Sequence, residues 1–182
     1  DVTALEIPDV KLLTPRIVRD DRGFFSETWN AAALQRAGIS AAFVQDNHAY
    51  SRETGVVRGL HFQRPPRAQD KLVRVVRGAI LDVAVDIRRA SPTFGRHVTA
   101  RLSAENWRQI WVPKGFAHGY VTLEPDTEVI YKVTDYYSPA DDAGLRWDDP
   151  ALGIDWGVAA DQAVLSSKDR ALPELSRLDT PF

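Results

Sequence analysis

The chain contains no cysteine among its 182 residues. That absence excludes disulfides and thiolate metal sites and fits a reducing compartment. No apolar run approaches the ~20 residues of a membrane-spanning helix, and no charged-then-apolar leader opens the sequence. A cytoplasmic protein with no membrane partner is therefore expected. An excess of one charge is also missing. Lys and Arg total 23 against 25 for Asp and Glu, a near-balance that argues against a nucleic-acid binder. There is no glycine-rich phosphate loop, low-complexity segment, linker or repeat. A chain of this length buries roughly 70% of its unfolded surface, so one domain over residues 1–182 needs no staple.

What is present is a succession of short alternating runs closed by turn residues, the pattern of an all-β protein. Leu72–Val76 stops at Gly78. Along Ala79–Ile87, Asp82, Ala84 and Asp86 fall on one face and Leu81, Val83 and Val85 on the other. His97–Leu102, Arg108–Val112, Gly119–Leu123 and Glu128–Asp135 read as further strands. Such repeated strand–turn units predict a sandwich or jelly roll. Helix is minor: Asn30 caps Ala31–Ala37 with Gly38 as the stop, and Ser166–Ala171 forms a short turn. Beyond Pro139, Asp, Pro and Trp dominate, and this tail is expected to wrap over the barrel.

Two segments carry candidate chemistry. The first is Arg58-Gly59-Leu60-His61-Phe62-Gln63 followed by Lys71. The second is Pro113-Lys114-Gly115-Phe116-Ala117-His118-Gly119. They resemble the two motifs of the cupin superfamily, whose metal-binding members use a His-x-His pair, a carboxylate and a later His. Here Gln63 stands at the second His, and Lys71 lies where a carboxylate is expected. An amide and an ammonium are poor ligands for a divalent cation. The site is therefore read as metal-free and anion-favouring.

The resemblance becomes more specific over nearly the whole chain. Asp21-Arg22-Gly23-Phe24-Phe25-Ser26-Glu27, Phe43-Val44-Gln45-Asp46-Asn47, the Arg58–Gln63 segment and Lys71–Val75 follow in order. Asp82–Arg88, Ser91–Gly95, Pro113–Gly119, Tyr131–Pro139, Gly153–Trp156 and Leu165–Asp169 complete the set. In this ordered form the chain resembles the dTDP-4-dehydrorhamnose 3,5-epimerases. That resemblance implies a cupin-type jelly-roll barrel with short peripheral helices and a C-terminal wrapping segment. It further implies a homodimer, a dTDP-linked 4-keto-6-deoxy sugar as substrate, and no cofactor.

Epimerisation beside a ketone needs a base, an acid on the opposite face and a cation or donor for the enolate oxygen. The resemblance assigns His61 as base, supported by the carboxylate of Asp169. Lys71 is the enolate-stabilising cation and Tyr131 the acid. Asp82 supports Lys71, and His118 either lines the site or orients a neighbour. For binding, Arg22 and Arg58 suit a diphosphate. Phe25 or Tyr137 could stack on the base or sugar, while Glu27, Gln45 and Asn47 could bond thymine or deoxyribose. One tension remains. In a regular strand Arg58 and His61 point to opposite faces, unless Gly59 supplies a bulge.

Alternatives from the same residues are an epimerase acting at C3 only or C5 only, a metal-dependent cupin, and a non-catalytic sugar-nucleotide-binding cupin.

Overall fold

The computed structural model describes every residue from Asp1 to Phe182. Its strands are β1 (Val2–Ala4), β2 (Lys11–Leu13), β3 (Val18–Asp20), β4 (Gly23–Phe25), β5 (Gln45–Ser51), β6 (Val57–Gln63) and β7 (Lys71–Arg77). They continue as β8 (Ala79–Asp86), β9 (His97–Ser103), β10 (Gln109–Val112), β11 (Phe116–Thr122), β12 (Thr127–Val133) and β13 (Asp142–Gly144). Helices are α1 (Ala31–Arg36) and α2 (Ser167–Arg170). One sheet has the order β1-β2-β10-β7-β12-β5, the other β13-β6-β11-β8-β9, and β3-β4 is a separate hairpin. All pairings within the sheets are antiparallel. The result is the expected jelly-roll sandwich. No helix is long and apolar enough to cross a membrane.

The two larger of three apolar clusters explain which way the strands around the cavity face. The first lies between the sheets and includes Val73, Val75, Ile80, Ala84, Ile110, Phe116, Tyr120 and Val129. The second lies outside the five-stranded sheet. Here Leu60, Phe62, Val83 and Val85 meet Leu145, Trp147, Leu152 and Trp156 of the tail. Burying a Leu or Phe side chain is worth ~1.5–3 kcal/mol, which fixes a tail that has little regular structure of its own. The Trp156 indole N–H also donates to the Trp147 carbonyl at 2.8 Å. The expected wrapping segment is therefore a second core layer.

Several strand limits differ from the sequence reading. β11 begins at Phe116 rather than Gly119, and all seven of its residues are buried. With the tail on one face and the lumen on the other, it shows no polar alternation. β5 was not anticipated, because its inward residues Gln45 and Asn47 are polar. Asn30 does cap α1, its Oδ1 accepting from the Ala33 N–H at 3.0 Å.

The parity tension at Arg58 and His61 is resolved by a bulge. Opposite β11, His61 pairs with His118 and Arg58 with Tyr120. β6 thus spends three residues where β11 spends two. Gly59 has φ +128°, and a Cβ there would lie 2.5 Å from the Gly119 Cα and 2.8 Å from the His118 carbonyl oxygen. Only glycine fits such a close approach. A Cβ on Gly119 would likewise fall 2.7 Å from the Arg58 carbonyl. Two bare backbones meet here, and the phase slip turns Arg58 and His61 into one cavity.

Candidate active site

The cavity between the sheets has a volume of about 450 Å³, and Arg58, His61, Lys71, His118, Tyr120, Tyr131 and Asp169 are among its lining residues. A smaller adjoining recess of about 150 Å³ shares His61, Lys71 and Tyr131 and adds Gln45, Asn47 and Tyr137. His61 enters from β6 of the five-stranded sheet. Lys71 (β7) and Tyr131 (β12) enter from the facing sheet, where Val133 pairs with Lys71 and Tyr131 with Val73. Lys71 and Tyr131 thus root on adjacent strands of the sheet that faces β6.

Asp169 reaches His61 across 108 residues of sequence, with 2.5 Å between Oδ1 and the His61 Nε2. The tail makes this possible in two steps. Val164 bridges to Val56, and its carbonyl accepts from the Val57 N–H at 2.9 Å. Ser166 then caps α2 by accepting the Asp169 N–H at 3.1 Å. Burial alone would raise the Asp169 carboxyl. The hydrogen bond and charge of His61, helped by Ser166 and the Gly59 N–H, hold it below its usual value. An ionised carboxylate accepts only, so Nε2 carries the proton and Nδ1 is left as the free basic nitrogen.

Lys71 is buried, and its Nζ donates to the His61 carbonyl at 3.3 Å. Burial lowers its pKa to about 8, with the charges of Asp82 and Asp142 opposing the fall. At neutral pH it is therefore still largely an ammonium. Asp82 is fully buried, and burial raises its carboxyl despite His118 and Lys71. Its two oxygens lie 3.0 and 2.9 Å from the His118 Nε2. Asp82 therefore acts on Lys71 through charge, while its direct hydrogen-bond partner is His118. Tyr131 is pushed up by burial, so its hydroxyl holds its proton and can donate it.

Of the binding candidates, Gln45 and Asn47 line the recess and bond each other at 2.9 Å. The Tyr137 N–H donates to Gln45 Oε1 at 3.1 Å, and its hydroxyl to Asp142 at 3.1 Å. Arg58 is held at the cavity wall by Ser51 Oγ at 3.2 Å and the Tyr50 carbonyl at 3.0 Å. Arg22, Phe25 and Glu27 are not brought to the cavity of their own chain. Arg22 is exposed and paired to Asp20 at 2.6 Å, and Phe25 is 73% exposed on the β3-β4 hairpin. Gln63 is committed to backbone. Its amide donates to the Arg67 carbonyl at 2.6 Å and the Tyr136 carbonyl at 3.1 Å, and its oxygen accepts the Ser138 N–H at 2.8 Å. It holds the turn that carries Tyr137. No three His, Asp or Glu side chains converge as a metal-ligand group. Two residues in the cavity wall, Tyr120 and Lys168, were not singled out from the sequence. Lys168 forms an ion pair with Asp142.

A profile of the family described as dTDP-4-dehydrorhamnose 3,5-epimerase matches residues 4–177. The chain belongs to the dTDP-4-dehydrorhamnose 3,5-epimerase family. A Sinorhizobium fredii relative of that name is 51% identical over 179 residues, covering 98% of this chain and 91% of its own. The crystal structure of a Bacillus anthracis dTDP-4-dehydrorhamnose 3,5-epimerase with TDP and PPi bound is 52% identical. It superposes with a TM-score of 0.92 over 96% of this chain and 98% of that one. A Legionella pneumophila dTDP-6-deoxy-D-glucose-3,5-epimerase in complex with dTDP-4-keto-L-rhamnose is 45% identical, with a TM-score of 0.93 over 98% and 94%. Membership of this epimerase family extends over the fold and the elements that carry the cavity.

Proposed function

We propose that the chain converts dTDP-4-dehydro-6-deoxy-D-glucose to dTDP-4-dehydro-L-rhamnose without a cofactor. One observation carries this reading. An imidazole backed by an ionised carboxylate opens onto a cavity that a buried ammonium and a neutral phenol, both rooted in the facing sheet, also line. In a gluco-configured pyranose the C3 and C5 hydrogens are both axial on the same ring face. A single base can therefore serve both carbons. His61 Nδ1 takes the proton, the C–H electron pair moves toward the C4 ketone, and the Lys71 ammonium stabilises the resulting enolate oxygen. Tyr131 gives a proton to the opposite face of the same carbon. His61 and Tyr131 then return to their starting states by exchange with water, so each inversion places one solvent hydrogen on carbon.

The nucleotide is held by Gln45, Asn47 and Tyr137 in the recess, with Arg58 on the diphosphate. The exposed β3-β4 hairpin supports a homodimer. Phe24 and Phe25 are 59% and 73% exposed, and aromatic side chains of this kind are enriched at interfaces. In such a pair Arg22, Phe25 and Glu27 would serve the partner's cavity rather than their own. Light scattering should return twice the chain mass. The cytoplasm is the compartment in which this reading puts the reaction, in keeping with the absence of cysteine.

The deciding experiment is turnover of the dTDP-4-keto sugar in heavy water, followed by NMR. Deuterium is expected at both C3 and C5. Uptake at neither would end the proposal. With Tyr131→Phe, His61 can still remove a proton and return one to the same face. Exchange should then persist while inversion falls by roughly 10²-fold.

A further inference from the structure

Tyr120 carries a buried side-chain hydroxyl without a hydrogen-bond partner in the protein, and the residue is 5% exposed. Buried polar groups are nearly always paired, and an unpaired one is destabilising. Its ring packs in the core between the sheets beside Ile80, Ala84 and Phe116, which accounts for the aromatic body but not for the oxygen. Tyr120 stands opposite Asp82 on β8 and Arg58 on β6 and lines the same cavity as His61, Lys71 and Tyr131. The neighbouring groups are already engaged. Both oxygens of Asp82 face His118, and Arg58 is tied to Ser51 and Tyr50.

We propose that Tyr120 is a positioning residue whose hydroxyl donates a hydrogen bond to an oxygen of the bound pyranose. The inference rests on the keto-sugar reading above and deepens it. The sugar is favoured over the nucleoside because Tyr120 lies in the chamber of the reacting groups. It is absent from the recess lined by Gln45, Asn47 and Tyr137. Burial raises the phenol well above its ordinary value, so it remains a neutral donor and does not compete with His61 as a base.

The test is Tyr120→Phe, which deletes one oxygen. A single neutral hydrogen bond is worth roughly three- to tenfold. KM for the keto sugar should rise by that factor with kcat little changed, because the bond is present before and during the reaction. Affinity for dTDP-glucose, measured by calorimetry, should fall by the same factor, while affinity for dTDP stays unchanged. The melting temperature should hold or rise, since an unpaired buried hydroxyl has been removed. Unchanged KM and dTDP-glucose affinity would overturn the proposal. So would an equal loss of dTDP affinity, or a lowered melting temperature, either of which points to nucleotide contact or a structural role. If the wild-type protein exchanges no deuterium, the epimerase reading is what fails. The dTDP-glucose comparison still decides the role of Tyr120.

Discussion

Replacing His61 with asparagine is expected to lower turnover by about 10²–10⁴-fold, the usual contribution of a positioned base. It should also stop deuterium uptake at both C3 and C5. The joint loss is the informative part. If one imidazole serves both carbons, neither position can retain exchange when the ring is gone. Asparagine is close in size and can still donate an N–H toward Asp169, so the buried carboxylate is not stranded. Affinity for dTDP should therefore be preserved, since its proposed contacts are Gln45, Asn47 and Tyr137 in the adjoining recess and Arg58 on the cavity wall, none of which is altered. Exchange surviving at one carbon would show that a second group acts as base there, with the Asp82-paired His118 the first to examine.

Replacing Lys71 with methionine should produce a protein that is at once a poorer enzyme and a more stable one. Loss of the cation facing the enolate is expected to reduce kcat by about 10²–10³-fold. The stability gain follows from the lowered pKa. Lysine ordinarily titrates at 10.5, and in the fold at about 8. That difference corresponds to about 3 kcal/mol of disfavour for the buried charge. Below pH 8 folded and unfolded chains both carry the ammonium, and the full cost is present. Between 8 and 10.5 the folded chain has lost the proton that the unfolded chain still binds, and the cost declines. Methionine removes it at neutral pH, less what is lost with the His61 carbonyl bond and the attraction to Asp82. A net gain of about 2 kcal/mol would raise the melting temperature by roughly 4–8 °C. Wild-type kcat should fall as pH rises past 8, and that alkaline limb should be missing from the variant. A variant that is less stable and retains the limb would refute the assignment.

The parts of the fold that face water on one side and apolar packing on the other were legible in the sequence. β9, with its alternating buried and exposed residues, is such a case, and so is α1 with its Asn30 cap. The strands that build the cavity were not. β5 puts polar groups inward because the lumen there is a binding surface, so hydrophobic alternation has no sign to follow. β11 is buried on both faces, which hid Tyr120 as one more core aromatic in an apolar run. β6 changes phase in its middle, and spacing alone could say only that a bulge at Gly59 would reconcile Arg58 with His61. Asp169 could not be reached from pattern at all. Its approach to His61 depends on a tail anchored by an isolated bridge and a one-turn helix, and only the family resemblance pointed to it.

The paired glycines at 59 and 119 bear on any attempt to reshape the protein for other sugars. Each already has the smallest side chain available, so neither can compensate for enlargement of the other. That stretch of wall has a fixed thickness. New substrate scope would have to come from the side chains projecting into the space, Ala49, Tyr120 and Tyr131 among them, with the wall itself left untouched.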